Sequence, residues 1–300
     1  MNEKYMIRYA RADDRLLVKT LWATCFPDED AFTNYFFERL YDPSRALLCV
    51  REDGHPAAML HMLAHTMMWL GHEVPVTYVF GVGAHPDLRR RGLASGLLDQ
   101  ALFEMHLRGT MFSVLIPQED WLFGFYRTFG YAPVFMQPSR TYTFAETPRP
   151  ADENDIPLLC SLYEKALAGR PHLLRTPEHW HDVLQECVLG GGQVLMDGVR
   201  GYAVFPQAKS APTECFGPGA QETGPESAFG CLRIVDAVRV CALLRQAGHP
   251  VPEGVLDDPF APWNVDALGS ESKTGTALDI AEFASCLFAE NPPYMQLMHN

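Results

Sequence analysis

Apolar and polar positions change period repeatedly along the chain, and each change marks an element. Residues 5–10 read as a strand. Asp13 or Asp14 then stands where a helix cap is needed, before a stretch that is apolar at helical spacing through about Cys25. Pro27 and Asp28 open a second helix, 28–40, with Phe32, Tyr35, Phe36 and Leu40 on one face. Residues 46–51 form a short apolar run of strand type. Asp53-Gly54 makes a hairpin turn, 57–69 returns as a strand, and Gly71-His72 turns the chain into another, 74–84. Leu93, Leu97, Leu98, Ala101, Leu102 and Met105 then line one side of a helix, 93–108, which Gly109 ends. A strand over 110–116, a short helix near 119–128 and a strand pair after Gly130 complete this half.

The second half is less regular. Residues 145–157 are polar and Pro-rich, the composition of a boundary. A helix follows from 158, then another over 177–189, a Gly190-Gly191-Gly192 turn, and two short strands ending at Phe205. Gly, Pro, Ser and Glu dominate 206–230, which reads as a long loop or linker. CLRIVD at 231–236 is strand-like and leads into a helix to about Gln246. A Gly-rich turn region spans 248–276, and a helix, 279–289, precedes the tail NPPYMQLMHN. The tail is apolar, so Tyr294, Met295, Leu297 and Met298 should be covered.

At 300 residues the chain is long enough for two or three domains. Its net charge of −13 leaves no basic field for nucleic acid and is compatible with a cationic small substrate. No apolar stretch reaches membrane-spanning length, so no membrane partner is expected. The eight cysteines include no CxxC pair and no zinc-ligand spacing, and no signal-peptide pattern opens the chain. Reduced thiols, a cytoplasmic location and no metal are the expectation. The histidines give no ligand set either. His61 and His65 share a strand face about 13 Å apart at ~3.3 Å per residue.

The richest chemistry lies in VTYVFGVGAHPDLRRRGLASGLLDQALFEM, 76–105. A strand ends in a Pro turn, Arg89, Arg90 and Arg91 follow, and Gly92, Ala94 and Gly96 stand at a helix start. Amides at a helix start lack intrahelical acceptors, and the dipole there is positive. Gly and Ala admit close approach, so this is an anion site suited to phosphate.

Arg89-Arg90-Arg91-Gly92-Leu93-Ala94 also fits R/Q-x-x-G-x-G/A, and Phe125-Tyr126-Arg127-Thr128-Phe129-Gly130-Tyr131 fits FY-x-x-FGY. On these motifs the chain resembles the Gcn5-related N-acetyltransferase (GNAT) superfamily. CLRIVDAVRV, TALDIAEFASCLF and the apolar C-terminus further resemble its enhanced-intracellular-survival type. The resemblance implies an α/β (α+β) chain: a GNAT domain with a mixed, splayed sheet at 1–147, a partial, degenerate second GNAT-like segment at 148–215, and a sterol-carrier-like domain at 216–300. The chain is shorter than that plan and carries no second phosphate motif.

The resemblance implies acetyl-CoA as co-substrate and a primary amine on a small, in one version polycationic, acceptor; it is compatible with a homo-oligomer. Arg89, Arg90, Gly92, Leu93, Ala94 and Ser95 would hold the pyrophosphate. A bulge at Gly81 or Gly83 would open the strand so that Val82 and Ala84 pair with the pantetheine arm, and the Val82 N–H would face the thioester oxygen. Tyr126 would protonate the departing thiolate, or else simply pack in the core. The base is open between the C-terminal carboxylate of Asn300 and the side chains of Glu119 or Asp120, whose simplest role is capping a helix. Phe26, Phe32 and Phe36 are candidates for pocket walls or core. The alternative is a non-catalytic acyl-CoA-binding or regulatory module.

Overall fold

A computed structural model describes residues 4–26, 30–208, 210–251 and 280–295. The first half builds strands β1 (Tyr5–Tyr9), β2 (Ala46–Arg51), β3 (Pro56–Trp69), β4 (His72–Ala84), β5 (Phe112–Leu115) and β6 (Ala132–Tyr142). Helices α1 (Arg15–Cys25), α2 (Asp30–Tyr35), α3 (Leu93–Leu107) and α4 (Asp120–Arg127) connect them. The helix expected over 28–40 changes character midway. Its described part is α2 followed by a π turn, Phe36–Leu40, and Pro27, Asp28 and Glu29 lie outside the described residues. Asp14 precedes α1 without capping it through its side chain; Arg8 takes that carboxylate instead, at 2.5 and 2.9 Å.

Next come β7 (Arg149–Pro150), α5 (Ile156–Ala166), β8 (His172–Leu173), α6 (Pro177–Leu189), β9 (Gln193–Asp197), β10 (Gly201–Phe205) and β11 (Glu214–Phe216). The chain then runs into β12 (Ala220–Ile234), α7 (Ala237–Gln246) and α8 (Ile280–Leu287).

The larger sheet has the order β1-β2-β3-β4-β5-β12-β6, with β8 added to the end of β3. Its ladders are antiparallel except β4 with β5. Two expectations change here. Residues 206–230 are not a linker: they include β11 and most of β12. The strand pair expected after Gly130 consists of β6 and a partner from 220–234, far along the chain. The sequence hid β12 because its first nine or so residues are solvated, with burial beginning only near Phe229. Backbone pairing with β6, not an alternating apolar pattern, holds that stretch extended. The pairing also crosses the expected boundaries at 147 and 216, since β12 lies inside the first sheet. Helices α7 and α8 pack on that sheet too, in the core of Trp69, Phe112, Phe135 and Phe288.

The smaller sheet, β11-β10-β9-β7, repeats the start of the larger one. There a strand, a one-turn helix, a long helix, a second helix and three antiparallel strands give the order β1-β2-β3-β4. Here β7, Glu153–Asp155, α5, α6, β9, β10 and β11 follow the same succession, with the short β8 added between the two helices. Even the polar clasp recurs: Arg149 binds Asp155 at 2.7 and 2.6 Å.

The two faces of the larger sheet carry separate cores. One holds α1, α7 and α8 around Trp22, Phe36 and Phe112; the other holds α3 and α4 around Leu98, Leu102 and Tyr131. The C-terminal strap joins modules. Tyr294 N–H donates to Pro171 O at 2.7 Å, and the Tyr294 hydroxyl reaches Glu214 at 2.8 Å. Tyr294 and Met295 are buried, while Leu297, Met298 and Asn300 lie outside the described residues. All eight cysteines are free thiols. No helix among the described residues is long and apolar enough to cross a membrane.

Candidate active site

The site begins with a ladder that stops early. β4 and β5 pair only at Val76–Phe112, Thr77–Ser113 and Tyr78–Val114, yet β4 continues to Ala84. Beyond Tyr78 the strands therefore part and leave the β4 edge without a β5 partner. On its other edge β4 bulges. Met59 faces Gly83 and His61 faces Phe80, so Leu60 alone spans Gly81 and Val82. Gly81 has φ 58°, and a Cβ there would lie 2.3 Å from the Trp22 ring. Only glycine fits that backbone and that contact. Of the two expected bulge glycines, Gly81 is the one with left-handed backbone; Gly83 sits tightly beside Cys25 and Phe26.

The opened strands border a cavity of about 430 Å³. Val82 lines it, as does Tyr126 from α4. Phe26 and Phe32 supply part of the wall, whereas Phe36 is wholly buried in the core. Tyr126 is 7% exposed and packs near Phe125 and Tyr131. Burial, then the neighbouring Tyr131 and Cys231, push its hydroxyl well above the ordinary tyrosine range. It therefore stays protonated at neutral pH.

Past Ala84 the chain turns through Pro86–Leu88 and reaches α3. The guanidinium of Arg89 points back to the Ala84 carbonyl at 3.5 Å, and the Arg91 guanidinium reaches the Tyr5 hydroxyl at 3.4 Å. Arg90 has φ 61° and Gly92 φ 77°, two left-handed residues that curl the loop around the helix start. The first helical bond is Gly96 N–H to Gly92 O. The amides of Leu93, Ala94 and Ser95 thus form the first turn, where an anion finds donors. Arg89, Arg90, Arg91 and Gly92 are exposed, and a Cβ on Gly92 would meet nothing within 4 Å. The space above that residue is open, as a guest phosphate requires.

The structure thus brings Val82 and Tyr126 to one cavity and sets Ala84 and the Arg89–Ser95 turn at the same end of β4. Asn300 lies outside the described residues. Glu119 and Asp120 are exposed, and Glu119 accepts from the Trp121 indole at 2.5 Å; neither borders the cavity.

A carboxylate missed in the sequence does border it. Glu186, on α6, is 6% exposed and lines the wall with Leu189, Gly190 and Pro206. It adjoins the buried stripe Trp180, Val183, Leu184 and Cys187, and an acidic residue on such a stripe was the available signal. Tyr78 lines the same cavity. Burial, then Glu186, then Tyr126 raise its hydroxyl far above the ordinary range. His61 beneath the bulge is held neutral, its pKa lowered by burial to about 4. Among the described residues no cluster of ligand-type side chains suits a metal ion.

Residues 6–134 match the family model described as an acetyltransferase (GNAT) domain. No curated protein matches the chain. Solved structures share its fold. A probable N-acyltransferase from Enterococcus faecalis superposes with a TM-score of 0.61 at 14% identity, over 78% of this chain and 73% of the other. A GCN5-related N-acetyltransferase from Anabaena variabilis gives 0.61 at 17%, over 79% and 74%. Eis1 from Mycobacterium abscessus gives 0.59 at 14%, over 80% and 76%.

Proposed function

We propose, from the GNAT acetyltransferase domain at 6–134, that this chain transfers an acetyl group from acetyl-CoA to a primary amine of a small molecule. The observation that carries the reading is the opening of β4 from β5 at the Gly81–Val82 bulge, with Tyr126 at the cavity and a glycine-led helix start beyond Ala84.

Each part has a task in that chemistry. The amides of Arg90, Gly92, Leu93, Ala94 and Ser95, with the Arg89 guanidinium, receive the pyrophosphate. The free β4 edge at Val82 and Ala84 offers backbone partners to the pantetheine amides. The Val82 N–H meets the thioester oxygen as negative charge grows on it. The neutral amine attacks the carbonyl carbon, a C–N bond forms and the C–S bond breaks. Tyr126 gives its proton to the sulfur, because a thiolate leaves poorly unless it is protonated. The terminal carboxylate of Asn300 remains the proposed base by resemblance, and the exposed Glu119 and Asp120 recede.

The repeated strand–helix–clasp unit and the likeness to Eis1 support kinship with the enhanced-intracellular-survival type. The sterol-carrier-like reading of 216–300 rests on sequence resemblance alone. The insertion of β12 into the main sheet favours integration of this region with the transferase over an independent carrier domain. The free thiols fit a cytoplasmic location.

The test is acetyl-CoA binding by calorimetry together with amine-dependent CoA release. Saturable binding, lost in Gly92→Glu, with turnover on an amine is the expected result. Binding without turnover on any amine would return the non-catalytic module, and unchanged binding in Gly92→Glu would remove the phosphate site.

A further inference from the structure

We propose that Arg233 of β12 is a positioning residue for acetyl transfer: its guanidinium closes the C-terminal turn of α4 and so fixes Tyr126, the proton donor to the leaving sulfur. This rests on the acetyl-transfer reading and adds to its machinery a residue beyond the 6–134 domain.

Arg233 stands where the strand pattern calls for an apolar side chain. Cys231 and Val235 belong to the core under α3 and α4, while Leu232 and Ile234 belong to the core on the opposite face. Alternation therefore puts Arg233 on the α3–α4 face, and it is 4% exposed there. A buried guanidinium is costly unless it has partners. One of them is the Phe129 carbonyl, to which Arg233 donates a hydrogen bond. Its register partner on β5 is Ser113, whose hydroxyl lies 2.7 Å from that of Tyr131. Asp99 on α3 feels the same cation: burial raises its carboxyl, and Arg233 opposes the rise.

The turn that Arg233 grips is the one that carries Tyr126. α4 has eight residues, and the Glu119 side chain does not cap its start. So short a helix keeps its shape through contacts with its surroundings. At its end, the N–H groups of Phe129 and Tyr131 both donate to the Tyr126 carbonyl, at 2.9 and 3.3 Å. Gly130 N–H donates to the Arg127 carbonyl at 2.9 Å. The Tyr126 backbone is thus the pivot of the turn, and Arg233 meets the turn from outside at Phe129. A cation there also complements the negative end of the helix. Gly130 makes the approach possible. Its φ is 77°, and a Cβ on it would lie 2.9 Å from Nη1 of Arg233. The glycine in FYRTFGY therefore serves the guanidinium as well as the turn.

The chemistry needs this precision. Tyr126 must present its hydroxyl to a sulfur that β4 holds, and a misplacement of about 1 Å can cost on the order of 10²-fold in rate. β12 pairs with β5, and β5 with β4, so Arg233 ties the acid to the same sheet that carries Val82. The strand that follows the second module thereby completes the geometry of the first.

The experiment uses the full chain with acetyl-CoA and, as amines, 2-phenylethylamine and spermidine. Arg233→Gln keeps an amide donor and removes the cation; Arg233→Lys keeps the cation. Arg233→Gln should lower kcat roughly 10–100-fold while the KM for acetyl-CoA changes by less than about twofold. Arg233→Lys should recover much of the loss. In a Tyr126→Phe background, Arg233→Gln should lower kcat by less than about twofold, because the group it positions is already gone. A general loss of structure would instead multiply in both backgrounds. Hydrogen exchange at the Phe129 and Tyr131 amides reads the turn without turnover, and Arg233→Gln should speed it at least ~10-fold. Full activity in Arg233→Gln, an undiminished loss in the Tyr126→Phe background, or unchanged exchange at the two amides overturns the proposal. If the parent acetylates neither amine while exchange still rises in Arg233→Gln, the grip on the turn stands and the transfer reading falls.

Discussion

Arg149 grips Asp155 through two hydrogen bonds across six residues, as Arg8 grips Asp14. In both places the same carboxylate also accepts a backbone N–H, from Asp152 in one and Arg11 in the other. Each clasp turns a strand into a one-turn helix and then a long helix. It anchors the first helix of each module to the strand before it.

The Arg8–Asp14 clasp is the more shielded of the two. Asp14→Asn should cost about 1.5–3 kcal/mol, as for a hydrogen bond to a charged group. The arginine hydrogen bond is the main cause that holds the Asp14 carboxyl below its usual range. A depressed folded pKa means the unfolded chain binds the proton first. This contribution is present above the unfolded value near ~4 and disappears as pH falls through the folded one. Denaturant midpoints of parent and variant should converge in acid and separate near neutrality.

Gly81→Ala should damage fold and function together. The new methyl would enter the Trp22 ring at a left-handed backbone position. A loss of about 2 kcal/mol or more is expected, read as a lower melting temperature. Acetyl-CoA turnover should fall further than stability alone accounts for, because the bulge positions Val82. A Gly81→Ala protein as stable and active as the parent would deny the bulge its role.

Tyr126→Phe removes the cavity hydroxyl and leaves the ring packing. Under conditions where chemistry limits the rate, kcat should drop roughly 10²–10⁴-fold with acetyl-CoA affinity retained. Full activity would reduce Tyr126 to a packing residue.

His61 makes stability depend on pH in the opposite chemical sense but the same direction. Buried and neutral, it has a pKa of about 4, against ~6.5 in an unfolded chain. As pH falls from ~6.5 toward 4, only the unfolded chain gains the proton, so stability declines, by up to about 3 kcal/mol. His61→Leu should flatten that part of the pH profile. An unchanged profile, measured by denaturant titration at pH 7 and 5, would show that His61 does not carry it.

The readable parts of the sequence were those where local chemistry and tertiary role agree. Gly92, with α3 behind it, needs an unusual backbone and a helix start in the same few residues, and both are visible as Arg-Gly-Leu-Ala. Two glycines in a long apolar strand, Gly81 and Gly83, signalled a bulge without saying which, because the choice depends on the Trp22 ring packed against Gly81. β12 was hidden because its Thr223–Gly224–Pro225 portion has turn composition, and it forms the irregularity between the Glu222–Arg140 and Glu226–Pro138 pairs with β6. Glu186 was hidden for a related reason: its place in the cavity depends on where α6 packs, a matter of tertiary arrangement beyond helical spacing.

The position of β12 also imposes an order on biosynthesis. β5 and β6 leave the ribosome early, but the strand that belongs between them follows only after the whole second module. At ~5–20 residues per second, that interval is on the order of ten seconds. During it the larger sheet has an open slot, with unpaired edges on Phe112–Leu115 and Ala132–Tyr142. A chaperone that covers strand edges would have its greatest effect on this chain in that window. A fragment ending at residue 147 would keep the slot open permanently and should aggregate on release.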